Sequence, residues 1–147
     1  MGSGEDAAAR QRPISLPPEL HAEWDLVVRS HSNLLLVGSS TATSAMLVAL
    51  ESYLREPLRR YTPQTGVPVP QPLEGTLILL EVARLDVIQQ AQLLRWLDQF
   101  DEHRQLQVVS TTSEPLFPLV ETGAFLADLY YRLNVVRMDL TPSEESR

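Results

Sequence analysis

Two short apolar runs constrain this chain more than any other feature. They are LLLV over 34–37, which has no polar alternation, and GTLILLEV over 75–82; QLQVVSTT over 105–112 reads as a third strand. A strand with one wet face would alternate between apolar and polar, as LLLV does not. Runs of this length predict strands buried on both faces, and such strands belong to parallel sheets covered by helices on each side. The segments between them supply those helices. Pro17 and Pro18, followed by Glu19, suit a helix start. ELHAEWDLVVRSH then places Leu20, Trp24, Val27 and Val28 on one face. Gly38 to Thr43 turn the chain, and SAMLVALESYLREPL follows with helical spacing at Met46, Leu47, Leu50 and Leu54 until Pro57. VIQQAQLLRWLDQF predicts an amphipathic helix with Ile88, Leu93, Leu94 and Leu97 on its apolar side. PLFPLVETGAF and LADLYYRL read as short helices separated by Gly123, and NVVRMDL as a last strand. Residues 61–74 carry four prolines and predict an extended connection or an edge strand. No internal repeat is evident.

The chain has 147 residues, enough for one domain with a core, and 44% of them are hydrophobic. A formal net charge of -7 argues against direct DNA binding, which needs clustered cations, and against an anionic membrane surface. No run is long enough to span a bilayer and the start lacks an apolar signal core, so the expected location is cytoplasmic. Cysteine is absent, which excludes disulfides, thiolate metal sites and cysteine catalysis. All 12 basic residues are arginine, so no mechanism can use a lysine ammonium. Residues 1–16 predict a flexible arm, 17–142 the domain and 143–147 a polar tail. His21, His31 and His103 are scattered without metal-ligand spacing, so no metal site is expected. Ser44, Ser110 and His103 form no recognisable triad order. Asp101–Glu102 and Glu144–Glu145 read as solvated surface.

Several pieces, in order, resemble one family. EGTLILLEVARLDVIQQAQLLRWL is similar to the Walker B strand and following helix of the AAA+ domain of sigma-54-dependent activators, the bacterial enhancer-binding proteins. VVSTTSEPLFPLVETGAFLADLYYRLNVVRMDL resembles their sensor I strand through to the last strand, and NLLLVGSS the strand before their nucleotide loop. The resemblance covers roughly residues 17–142. It implies an α/β, P-loop NTPase-like three-layer sandwich with a mostly parallel five-stranded sheet, in the order 5-1-4-3-2. The second strand would come from the proline-rich interval, and the helical lid domain is expected to be absent.

The same resemblance places the site residues. Gly38-Ser39-Ser40-Thr41-Ala42-Thr43-Ser44 falls on the family's gly-glu-ser-gly-thr-gly-lys, so two loop glycines become Thr41 and Thr43 and the lysine becomes Ser44. A loop of this kind wraps phosphate with backbone amides and neutralises it with the lysine. The bland reading of these residues is an ordinary strand-turn-helix, with Ser39 and Ser40 as turn and capping residues. The Walker B aspartate falls on Leu80 and its glutamate on Glu81, expected to be satisfied by a nearby amide or arginine. The sensor I asparagine falls on Ser113. Of the two interface arginines, one falls on Leu126 and the other on Arg132, expected to pair with Asp128 on its own helix. The sigma-54 contact loop falls in the interval now occupied by 57–74 and is missing.

From these losses the chain is expected to be no enzyme, to carry no ATP or Mg2+, and to act as a regulatory protein-interaction module in transcriptional or signalling control. Its expected partner is a related AAA+ activator, another protein or a second copy. The alternatives are a weak nucleotide-binding protein of the AAA+ class, and a transcription regulator acting through an intact activator.

Overall fold

In the computed structural model, residues 12–99 and 106–141 are described. His103, Asp101–Glu102, Glu144–Glu145 and the tail 143–147 lie outside them. Helix α1, His21–Ser30, follows a 3-10 turn at Pro18–Leu20. Then come β1, Leu34–Val37; α2, Ser40–Leu50; β2, Leu58–Tyr61; β3, Gly75–Leu79; and α3, Val87–Asp98. The chain continues with β4, Leu106–Thr112; α4, Phe117–Thr122; α5, Ala127–Leu133; and β5, Val136–Asp139. The strands form one sheet in the order β2-β3-β4-β1-β5, and every pairing is parallel. This is the expected α/β architecture and the expected strand order.

The strand period of two divides the core. Leu35, Val37, Leu77, Leu79 and Val108 point to one face, where they meet Leu93, Trp96 and Leu97 of α3 and Leu129, Tyr130 and Leu133 of α5. Leu34, Leu36, Ile78 and Val109 point to the other, against Trp24 and Val27 of α1 and Leu47 and Leu50 of α2. Both faces of β1 and β3 are buried along their whole length. Each leucine so enclosed contributes roughly 1.5–3 kcal/mol relative to an exposed one.

Four boundaries differ from the sequence reading. The arm expected over 1–16 is anchored at its end: Leu16 is buried, and Arg12 donates to both carboxylate oxygens of Asp25. That hydrogen-bonded guanidinium holds the Asp25 carboxyl below its ordinary range. Helix α2 begins at Ser40, four residues before the expected start, and ends at Leu50, short of Pro57. A 3-10 turn at Glu51–Tyr53 finishes it, and Leu54 is buried outside the helix. The second strand does come from the 57–74 interval but takes only Leu58–Tyr61 of it, ahead of Pro63, Pro68, Pro70 and Pro72, because prolines lack the donors that a sheet ladder uses. On α3, Ile88 is 69% exposed, and the first inward positions are Gln89 and Gln90.

Gly75 opens β3 in the left-handed region (φ 90°), and a Cβ there would lie 2.2 Å from the carbonyl oxygen of Pro57. Gly123 ends α4 with a similar φ of 83°, but a Cβ there would meet nothing within 4 Å. Gly123→Ala is therefore expected to cost about 1 kcal/mol, the conformational term alone. Gly75→Ala is expected to cost several times that, because the clash is with backbone that cannot move aside. Chemical denaturation of both variants checks the ranking.

His31 caps α1 in the left-handed region (φ 54°). Burial, then the charge of Arg55, lowers its pKa from the ordinary 6.5, while Gln107 opposes the shift. The unfolded chain thus takes up the proton more readily. The contribution to stability is complete above the ordinary value and is lost as pH falls from there toward the folded one. Asparagine tolerates the same backbone and does not titrate. Thermal melts across this window should fall less steeply for His31→Asn than for the native chain.

Candidate functional site

The positions singled out by the sequence, Arg132 excepted, gather at the carboxyl edge of the sheet, where ligands of open α/β folds bind. Val37 and Thr112 are register partners, so Gly38 and Ser113 leave the sheet side by side. Leu79 pairs with Ser110, which brings Leu80 and Glu81 to the same edge. Gly38 donates its amide to the Thr112 carbonyl (3.0 Å). It has no room for a side chain, since a Cβ would lie 2.9 Å from that of Leu140. The glycine here serves the close approach of two chain segments.

Beyond Gly38 the loop is short. Ser39 is the N-cap of α2, its hydroxyl accepting from the Ala42 amide (3.1 Å), and its carbonyl accepts from Thr43 N–H (2.9 Å). Ser40, Thr41, Ala42, Thr43 and Ser44 are all helical. Two amides that a phosphate cradle would aim at its ligand are thus committed to the helix. Thr43 is buried, with its hydroxyl 3.3 Å from the Ser40 carbonyl, and Ser44 is exposed. The capping expected of Ser39 is present, whereas Ser40 lies inside the helix. The expected turn over Gly38–Thr43 shrinks to two residues because threonine at 41 and 43 withholds the backbone freedom that glycine gives.

Leu80 is half-buried and packs against the core beneath α1 and α2, and its amide donates to the Tyr61 carbonyl (2.9 Å). Glu81 takes a left-handed conformation (φ 56°), uncommon for a residue with a Cβ. Three bonds hold it. Its amide donates to Thr111 Oγ1 (3.0 Å), and its Oε2 accepts from the amide (3.2 Å) and hydroxyl (3.0 Å) of Ser113. The partner expected for Glu81 is therefore Ser113, which joins the strand ends of β3 and β4. Together these residues do not fit Mg-ATP held in the family manner. There is no cation at 44 and no carboxylate at 80, and the loop is wound into a helix.

Arg132 lies elsewhere. It ends α5 at the amino edge of the sheet, where its guanidinium pairs with Asp98 and donates to the Leu97 carbonyl (2.7 Å). The pairing expected with Asp128 is corrected: the side chain crosses to the C-terminus of α3, whose free carbonyls and dipole favour a cation. Asn33 reinforces this edge, donating to the Arg132 carbonyl (3.0 Å) and accepting from Val108 N–H (2.8 Å).

Two organising residues were missed. Gln89 Nε2 meets three acceptors, Tyr61 Oη (3.1 Å) and the carbonyls of Gln64 (2.8 Å) and Val67 (3.0 Å), and so ties the proline-rich segment to α3. Gln90 donates to the carbonyls of Leu85 and Ala124 and accepts from Leu126 N–H, fixing the entry to α5. The spacing of Asp86 and Gln89 was the available signal, for they form a reciprocal capping box at the start of α3. No signal of comparable strength marks Gln90. Among the described residues, no three acidic or histidine side chains converge as metal ligands, and no helix is long and apolar enough to cross a membrane.

A family model for the sigma-54 interaction domain matches residues 18–142. The chain belongs to that family. Among curated relatives, the regulatory protein AtoC of Escherichia coli (strain K12) is 34% identical over 83 residues, which is 50% of this chain and 18% of AtoC. The nitrogen fixation protein VnfA of Azotobacter vinelandii is 38% identical over 80 residues, 48% of this chain and 15% of VnfA. The chain thus aligns with less than a fifth of either relative's length. In structure it resembles NtrX from Brucella abortus in complex with ATP, with a TM-score of 0.70 and 22% identity, over 95% of this chain and 38% of that one. It also resembles the P-loop NTPase domain of a sigma-54 activator from E. coli, with a TM-score of 0.60 and 17% identity, over 86% of this chain and 98% of that domain.

These findings correct one expectation. The altered loop and Leu80 led to the reading of a chain that is no enzyme. The family model is the sigma-54 interaction domain, and the structural neighbours include a P-loop NTPase domain of a sigma-54 activator and NtrX in complex with ATP and with ADP. Assignment as a non-enzyme does not stand on missing signature residues alone.

Replacing Leu80 with aspartate would put a carboxylate beside Glu81 and against apolar groups. Removal of the apolar contacts and partial desolvation of the charge are together expected to cost about 1–3 kcal/mol at neutral pH. Thermal melting should show the loss, and Mg-ATP is not expected to restore it. A Leu80→Asp variant that melts at or above the native temperature would show that the site is not apolar.

Proposed function

We propose that this chain is a regulatory domain of sigma-54-type transcription control that acts through contact with another protein, either a related AAA+ activator or a second copy of itself. Family membership supports the regulatory setting. The observation that carries the protein-contact reading is the carboxyl edge. There the segment that wraps phosphate in the family is a Ser39-capped helix, and Leu80 occupies the Mg2+-organising position. The scaffold around it is kept in order by Glu81–Ser113, Gln89 and Gln90. A rigid frame without a fitted Mg-ATP site suits recognition of a partner in the cytoplasm.

The second reading is weak nucleotide binding, favoured by the N-terminus of α2, which carries a helix's positive end to the carboxyl edge. Calorimetric titration separates the two. On the proposed reading, neither ATP nor ADP binds more tightly when Mg2+ is added, since no carboxylate at 80 is present to engage the metal. Tightening by Mg2+ would favour the nucleotide reading, and phosphate release in the same samples measures turnover directly. The regulatory reading is tested in a purified sigma-54 transcription reaction driven by an intact activator. Adding the chain is expected to change the yield of transcript, and an unchanged yield at saturating amounts would count against it.

A further inference from the structure

Strand β2 ends the sheet on one side and pairs only with β3. Thr76 N–H donates to the Pro57 carbonyl and Leu80 N–H to the Tyr61 carbonyl. Residues 57 and 61 therefore turn their backbone groups toward β3. Alternation along a parallel strand turns those of Leu58 and Arg60 the other way, to the open edge. Among the described residues, no other main chain pairs with that edge.

The side chains give the edge its character. Tyr61 enters the core under α3, and Leu58 packs on the opposite core, so Arg59 and Arg60 project from opposite faces of the same strand. Both are exposed. Arg59 has no ion-pair partner among the described residues. Arg60 pairs with Glu51, but both side chains are close to half exposed, and exposed pairs of this kind exchange readily. The other edge strand, β5, differs. Its outward Arg137 is answered on the same strand by Asp139 at 3.3 Å. In a chain of net charge -7, β2 thus carries one arginine on each face beside an unpaired row of amides and carbonyls. Arginines on an edge strand discourage indiscriminate strand pairing, since like charges set opposite one another are disfavoured and opposite charges favoured.

We propose that the open edge of β2 receives an extended acidic segment of a partner protein, which adds a sixth strand to the sheet and sets carboxylates against Arg59 on one face and Arg60 on the other. This rests on the reading of the chain as a protein-contact domain and names the surface that makes the contact. Main-chain pairing with Leu58 and Arg60 supplies the binding, and the two arginines supply the selectivity.

The test uses the full chain and a ten-residue peptide of threonine and glutamate with adjacent glutamates, compared with the same peptide carrying lysine for glutamate. The acidic peptide is expected to bind, and to slow amide exchange at Leu58 and Arg60 while leaving Arg59 and Tyr61, already laddered to β3, unchanged. Replacing both arginines with glutamine is expected to weaken binding about tenfold, the combined effect of two cross-strand charge pairs. Arg60→Pro removes an outward amide without breaking the ladder to β3 and should abolish binding, with circular dichroism reporting whether the variant folds. N-methylation of alternate peptide residues gives the same answer without altering the protein: one register should bind and the other should not. The proposal is overturned if the acidic peptide fails to bind, binds no better than its lysine counterpart, or binds without protecting Leu58 and Arg60. Sedimentation that shows copies of the chain pairing through this edge would also overturn it. An effect on the transcription reaction that persists when the peptide does not bind would place the contact elsewhere and leave the regulatory reading standing.

Discussion

Every other feature hangs on the burial of both faces of a parallel sheet. Because successive side chains alternate between faces, Leu34 and Leu36 serve one core while Leu35 and Val37 serve the other. Neither core can be lost without wetting half of each central strand. This forces helices onto both sides and forces crossovers between neighbouring strands. It also leaves the two ends of the sheet as the places where loops, caps and open backbone collect. The carboxyl edge with Gly38, Glu81 and Ser113, the amino edge with Asn33 and Arg132, and the open flank of β2 are all consequences of that one arrangement.

Polar side chains then set what the apolar layers leave free. Gln89 and Gln90 are neighbours on α3, yet they hold different segments. One fixes the turn after β2 and the other the start of α5. Their amides are buried, so each unmade bond would carry a desolvation cost, and each made bond specifies a chain path. At the carboxyl edge the same economy holds Glu81 in a left-handed conformation. Thr111 and Ser113 supply enough bonds to fix a backbone geometry that would otherwise be uncommon.

Much of the architecture was legible because strand burial and helix periodicity are local patterns. The unalternating runs at 34–37 and 75–79 announced a covered parallel sheet. The pieces around Walker B and sensor I placed the chain in a family and fixed the strand order. Less legible was anything decided by a partner distant in sequence. Arg132 has Asp128 four residues away, yet it bonds to Asp98 and Leu97, because the ends of α3 and α5 meet only after both helices pack on the sheet. Ile88 fits the helical pattern and is exposed, while Gln89 and Gln90 are inside, since their acceptors come from other segments.

By itself, then, the sequence determined the α/β class, the absence of lysine and cysteine chemistry, and the substitution of Ser44 and Leu80 at two positions of a familiar site. Those are properties of residue type and short-range spacing. Only the tertiary structure decided that Glu81 finds Ser113, and that Leu58 and Arg60 present free backbone to an open edge. Each of these depends on which strands lie side by side and which backbone groups the ladder has already used, and no local stretch of sequence carries that information.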